Sequence, residues 1–179
     1  MTGKIIGICG YKGAGKSTVT QTAIFNPVLS SKALLCAMGI PAEILDNKSR
    51  WNEPLDILCG HSTRFAFETL GTEWGKDTVG KNIWINIALA EARMLINDMG
   101  ISVLFDNVRY LDEFAALRQE GAKIIALTRP GLLVDLSHAS ERDIAAIQRQ
   151  CDVQLTNEEG CFARTVSQMR TTLETLISP

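Results

Sequence analysis

Gly10-Tyr11-Lys12-Gly13-Ala14-Gly15-Lys16-Ser17 restricts the fold more than any other stretch of this chain. It matches G-x-x-x-x-G-K-[ST] and sits between an apolar run, Lys4 to Cys9, that reads as a short buried strand and a segment, Ser17 to Phe25, that reads as a helix. A random chain of this length would match the pattern roughly once in 150 to 200 trials, before the strand and helix are demanded. Glycines let backbone N–H groups close around phosphate oxygens, and a helix N-terminus adds its dipole. Lys16 is expected to reach the β- and γ-phosphates, and Ser17 to offer its hydroxyl to Mg²⁺. Lys12 through Thr18, that is Lys12, Gly13, Ala14, Gly15, Lys16, Ser17 and Thr18, therefore form the expected donor-nucleotide site.

Downstream, strand and helix patterns alternate, which builds a parallel sheet. Ile85, Ala88, Leu89, Ala92, Leu95, Ile96 and Met99 share one face of a helix. Ile101 to Phe105 reads as a strand ending at Asp106, Leu111 to Gln119 as a helix, Lys123 to Thr128 as a strand, Glu141 to Gln150 as a helix and Val153 to Leu155 as a short strand. The last helix places Phe162, Val166, Met169, Leu173, Leu176 and Ile177 toward the sheet. Between Pro27 and Gly80 the pattern is irregular, with helices expected at Ser31 to Met38 and Thr63 to Leu70 and turns around Asp46 to Pro54. The chain of 179 residues is thus expected to be a single α/β domain over 1–179, with a lobe at 27–84 and, after the break Arg129-Pro130-Gly131, a lid at 129–150.

Asp106 stands where a strand-end carboxylate would orient Mg²⁺ beside Ser17, although an aspartate there can equally cap a turn. Its neighbour is Asn107, not the glutamate a motor ATPase uses to polarise water, so transfer is favoured over hydrolysis. A GTPase is disfavoured: Asn47-Lys48-Ser49-Arg50 ends in arginine where N-K-x-D needs aspartate, and Asp106-Asn107-Val108-Arg109 is not D-x-x-G. Arg64, Arg109 and Arg129 occur singly at strand or loop ends, suited to a second phosphate and to a transferring phosphoryl group.

Charge and cysteines narrow the class further. Eighteen basic and twenty acidic residues leave a net charge of −2, too balanced for binding nucleic acid by counterion release. With 46% hydrophobic residues there is ample material for a core. Cysteines at 9, 36, 59, 151 and 161 show no C-x-x-C and no zinc spacing, so reduced thiols in a cytoplasmic protein are expected. No run reads as a signal peptide or a membrane span.

Arg64-Phe65-Ala66-Phe67-Glu68-Thr69-Leu70-Gly71-Thr72-Glu73-Trp74-Gly75-Lys76, then Ile83-Trp84-Ile85, then Phe105-Asp106-Asn107-Val108-Arg109-Tyr110 with Asp112-Glu113, resemble the bacteriophage deoxynucleoside monophosphate kinases. The likeness continues through Thr128-Arg129-Pro130-Gly131, His138-Ala139-Ser140-Glu141 and Asn157. It implies a P-loop NTPase fold of the nucleoside monophosphate kinase type, three layers α/β/α around a parallel sheet, with ATP and Mg²⁺ on the donor side and a dNMP as acceptor. By the same resemblance Lys16, Asp106, Arg109 and Arg129 would be catalytic, with Arg129 closing from the lid. Arg64 and Arg109 would meet the acceptor phosphate, Trp84, Glu113 and Glu141 would border the acceptor, and Asn157 would lie beside adenine. Trp84 has packing as its alternative.

Phe25-Asn26-Pro27 arrives only 8 residues after Ser17, which leaves the family's usual second strand in question. A small-molecule kinase of the dephospho-CoA kinase type and a nucleotide-binding module without transfer are the alternative functions, and a homodimer stands open beside a monomer.

Overall fold

The computed structural model describes residues 3–20, 26–27, 31–134 and 139–178. It divides into two compact units, Met1–Val28 with Ala92–Pro179, and Leu29–Glu91.

The first unit is built on strands β1 (Ile5–Cys9), β2 (Asn26–Pro27), β3 (Val103–Val108), β4 (Lys123–Thr128) and β5 (Val153–Thr156). All pairings are parallel and the order is β2-β3-β1-β4-β5. The central strand, IIGIC, is buried along its whole length, because a strand covered on both faces needs a continuous apolar run. Ile6 and Ile8 meet Val19 of helix α1 (Lys16–Thr20) and Met169 and Leu173 of helix α9 (Phe162–Ile177), together with Leu104, Ile125 and Leu127. Full burial of each such side chain contributes about 1.5–3 kcal/mol.

On the opposite face Gly7 leaves room for its neighbours. A Cβ there would lie 2.5 Å from Ile124 Cδ1 and 3.6 Å from Leu117 of helix α6 (Leu111–Gln119). Helices α7 (Ala139–Arg142) and α8 (Ile144–Gln148) follow β4, and Ile144 and Ile147 are fully buried. The architecture is thus the expected α/β class: an all-parallel sheet flanked by helices, consistent with a P-loop kinase-like fold.

Several expectations need correction. The strand read as ending at Asp106 continues to Val108: β1–β3 register shifts between Gly7↔Phe105 and Cys9↔Val108, so one extra residue is accommodated and Asp106 and Asn107 turn to solvent. The second strand is present, but only as Asn26–Pro27 beside β3. Glu141 to Gln150 forms not one helix but α7 and α8, with Asp143 between them. Phe162 and Ile177 are exposed at the two ends of α9, while Thr165 takes the buried position, its hydroxyl donating to Cys161 O at 3.3 Å. The part of the first helix expected over 21–25 lies outside the described residues, as does His138.

The second unit contains α2 (Ser31–Ala37), α3 (Ala42–Asp46), α4 (Thr63–Glu68) and the start of α5 (Ile83–Met99). Its core is Leu35, Ile40 and Leu45, packed by Leu55, Leu58, Phe67 and Leu70. Ser62 caps α4 by accepting from Phe65 N at 3.2 Å. The chain then runs on from α4 as a π-helix, Thr69–Val79, where a helix ending at Leu70 was expected. The reason is tertiary. Trp84 Nε1 donates to Gly71 O at 2.8 Å, and a Cβ on Gly75 would stand 2.5–2.7 Å from three indole atoms. The wide helix and the glycine together make the seat for this ring.

Gly75→Ala should therefore destabilise the protein by about 1–3 kcal/mol, because overpacking against a rigid indole outweighs the roughly 1 kcal/mol that alanine gains in a helix. Urea unfolding followed by tryptophan fluorescence measures this, and an unchanged midpoint would mean that the ring moves aside.

Candidate functional site

The Gly-rich loop begins where β1 ends, and its glycines answer to specific neighbours. A Cβ on Gly10 would sit 2.5 Å from Leu127 O of β4, a backbone atom that cannot give way. Gly15 has φ +96°, and a Cβ there would meet Asn157 Nδ2 at 2.6 Å. Asn157, 7% exposed, uses that amide to donate to Ala14 O at 3.0 Å, while its own N–H donates to Thr128 O at 2.8 Å. It thereby fastens the loop to the end of β4. The resemblance placed Asn157 beside adenine; the structure shows its amide engaged with the loop.

Lys16 is 7% exposed, and its Nζ donates to Gly10 O at 2.5 Å and Tyr11 O at 3.1 Å. Burial lowers its pKa from 10.5, and the nearby Arg109 lowers it further, against the opposing pull of Glu141, Cys9 and Asp106. The ammonium is thus held on two neutral carbonyls, ready to exchange them for anionic oxygens. Lys12, Ser17 and Thr18 are exposed.

At the same end of the sheet, the turn after β3 carries Arg109. Its Nε donates to Asn107 Oδ1 at 2.7 Å and its Nη1 to Glu141 Oε1 at 3.4 Å. Glu113 Oε2 accepts from the N–H groups of Arg109 at 3.1 Å and Tyr110 at 3.2 Å, closing the first turn of α6. Glu141, 5% exposed, accepts with its other oxygen from Lys12 N at 3.1 Å. Arg129, just past β4, is exposed, and its side chain forms no hydrogen bond or ion pair among the described residues.

One end of the first unit therefore gathers the loop, Asp106, Arg109, Glu113, Arg129, Glu141 and Asn157. Arg64 and Trp84 belong to the second unit, where Arg64 is exposed and pairs with Glu68 at 3.3 Å and Trp84 holds the π-helix. Asn107, which stands where a motor ATPase has its glutamate, is a direct partner of Arg109. Its single signal in the sequence is an amide two residues before that arginine.

Among the described residues no group of three His, Cys, Asp or Glu could hold a metal ion. The available oxygens are the Ser17 hydroxyl and the Asp106 carboxylate. That donor set fits Mg²⁺, which takes one or two protein oxygens and is otherwise satisfied by phosphates and water. No helix among the described residues is long and apolar enough to cross a membrane.

No protein-family model matches the chain. It is 23% identical over 172 residues, 87% of this chain and 89% of the relative, to a protein of Acanthamoeba polyphaga mimivirus named "Putative deoxynucleotide monophosphate kinase". The similarity spans both compact units, not just the Gly-rich loop.

Should the Gly-rich loop take ATP, the lowered Lys16 pKa makes that affinity fall as pH rises through it, and binding there takes up protons. Calorimetry in buffers of different ionisation enthalpy reads both effects. Lys16→Arg, charged throughout, should flatten the profile; a wild-type profile equally flat would show that Lys16 does not meet phosphate.

Proposed function

We propose that the protein is a deoxynucleoside monophosphate kinase, transferring the γ-phosphoryl group of ATP to a dNMP to give ADP and dNDP. The observation that carries this reading is one sheet end that combines a phosphate loop, its buried lysine and an arginine braced by two side chains, in a chain similar over most of its length to the mimivirus protein.

Lys12 to Thr18 would receive the donor phosphates, with Lys16 leaving Gly10 O and Tyr11 O for the β- and γ-oxygens. Ser17 and Asp106 would hold Mg²⁺, which supplies neutralisation of the phosphate charge. The acceptor needs little help to become a nucleophile, since a phosphate monoester has its second pKa near 6 and is largely dianionic at neutral pH. Its oxygen attacks the γ-phosphorus in line, the bond to the β,γ-bridging oxygen breaks, and ADP leaves with that electron pair. Positioning and charge neutralisation are then the catalytic requirements, and no general base is called for. Arg109 is assigned to the acceptor phosphate and Arg64 is its second candidate. Trp84 and Glu113 are assigned to the border of the acceptor nucleoside. In this reading the unit at Leu29–Glu91 serves the acceptor, and Arg129, at the start of the segment 129–150 assigned as the lid, closes over the transferring group while Ile144 and Ile147 stay packed in the fold.

A coupled ADP-release assay over dGMP, dTMP, dAMP, dCMP and dephospho-CoA tests the reading. Turnover with a dNMP supports it. Turnover with dephospho-CoA alone replaces it with the other small-molecule kinase, and ATP binding without turnover replaces it with a binding module. Lys16→Ala should abolish transfer. Arg129→Ala should lower kcat on the order of 10³-fold with modest change in either KM, as an arginine felt mainly in the transition state does. Arg64→Ala and Arg109→Ala should instead raise the dNMP KM, because a contact to the acceptor phosphate exists already in the ground state. Wild-type kcat in Arg129→Ala would remove Arg129 from the chemistry.

A further inference from the structure

Among the described residues Glu141 is the one acidic side chain that is both buried and placed against the phosphate machinery. An ionised carboxylate withdrawn from water is costly unless its oxygens are paired. Here each oxygen has its own partner: Oε2 takes the Lys12 N–H at 3.1 Å and Oε1 the Arg109 guanidinium at 3.4 Å. These partners come from different parts of the chain, 129 and 32 residues away from Glu141. One carboxylate thus ties the front of the donor loop to the arginine of the β3–α6 turn.

The geometry at Arg109 sharpens the point. Its guanidinium is gripped twice, by Asn107 Oδ1 on Nε and by Glu141 Oε1 on Nη1. Two contacts on a planar group fix its rotation, and of its five N–H donors three remain for an anion. A carboxylate aimed at substrate would do the opposite, since it would repel a phosphate. Both Glu141 oxygens face protein donors instead.

We propose that Glu141 is a positioning residue: it sets the direction of Arg109 relative to the Gly-rich loop, so that donor and acceptor phosphates are held at one spacing. The proposal rests on the kinase reading above. It differs from the substrate-bordering role that the resemblance implies for Glu141, since the residue acts through Arg109 and Lys12 N and not by touching the dNMP.

A double-mutant cycle tests it, with Glu141→Gln and Arg109→Ala made singly and together and kcat/KM for the dNMP measured at saturating ATP. Glutamine keeps the length but loses the charge, and its amide nitrogen faces one of the two donors. In the wild-type background Glu141→Gln should lower kcat/KM on the order of 10²-fold, the size expected when a reacting group is misplaced by about 1 Å. In the Arg109→Ala background the same change should cost only a few-fold, since nothing is left to aim. Equal losses in both backgrounds would overturn the proposal and leave Glu141 as an anchor of α7. A gain in kcat/KM would also overturn it, by showing that the carboxylate competes with phosphate. Melting curves check the fold of each variant, and should Glu141→Gln unfold, Glu141→Asp, which keeps the charge but shortens the reach, takes its place with the same non-additivity expected. Wild-type protein that releases no ADP with any dNMP would overturn the kinase reading and this proposal with it, an outcome distinct from an additive cycle in an active enzyme.

Discussion

The parallel pairing of β1 with β3 on one side and β4 on the other is the constraint from which the site follows. Parallel strands deliver all their carboxyl ends to one edge of the sheet, and the chain order reverses about β1, the position at which open parallel sheets in general take their ligands. Cys9 is level with Val108 and Ala126, so Gly10 and Arg109 emerge side by side, and Arg129 follows three residues after Ala126 at the same edge. Gly10 shows how tight this junction is: Leu127 O occupies the place a side chain would need. The buried apolar sequence of β1 is thus as necessary to the site as the loop itself, because it holds the register that makes the loop meet its partners.

Charge is handled differently at the two ends of the sheet. At the amino end Asp152 accepts from Arg118 at 2.6 Å, Lys123 at 3.1 Å and Ile124 N at 2.8 Å. Burial pushes its pKa up, but the Ile124 N–H and the two cations outweigh this and hold it low. That cluster satisfies itself and ties β4 to the start of β5. At the carboxyl end the balance is incomplete: Lys16 rests on neutral carbonyls, Arg109 has donors to spare, and Arg129 lies in solvent. Glu141 compensates part of this positive charge and leaves the remainder for an anion. An excess of donors at one end and a closed network at the other is what distinguishes an end able to take an anion from a structural ion cluster.

Much of this was legible locally. β4 and α6 fall on the stretches their patterns outline, Lys123–Thr128 and Leu111–Gln119, because each is set by its own apolar period and by flanking turns. The Gly-rich loop was legible for the same reason, with the spacing carrying the chemistry. What escaped depends on partners far along the chain. The π-helix at Thr69–Val79 exists to seat Trp84, and nothing within the segment announces it. β3 passes Asp106 because it carries one extra residue against β1 and resumes pairing at Val108, which the apolar pattern does not show. The link from Glu141 to Lys12 N, across 129 residues, has no local signature at all.

The short passage between the loop helix and the second unit bears on one side of the site more than the other. The partners that hold the loop, Leu127, Asn157 and Glu141, and Arg109 beside them, all follow residue 100. A chain can therefore reduce its second strand to Asn26–Pro27 without disturbing a single one of these contacts. The second unit, for its part, keeps a core of its own around Leu35, Ile40 and Leu45 and a separate aromatic seat at Trp84. The Gly-rich loop is fixed by the sheet behind it, so its geometry does not depend on the length of chain between Thr20 and the second unit.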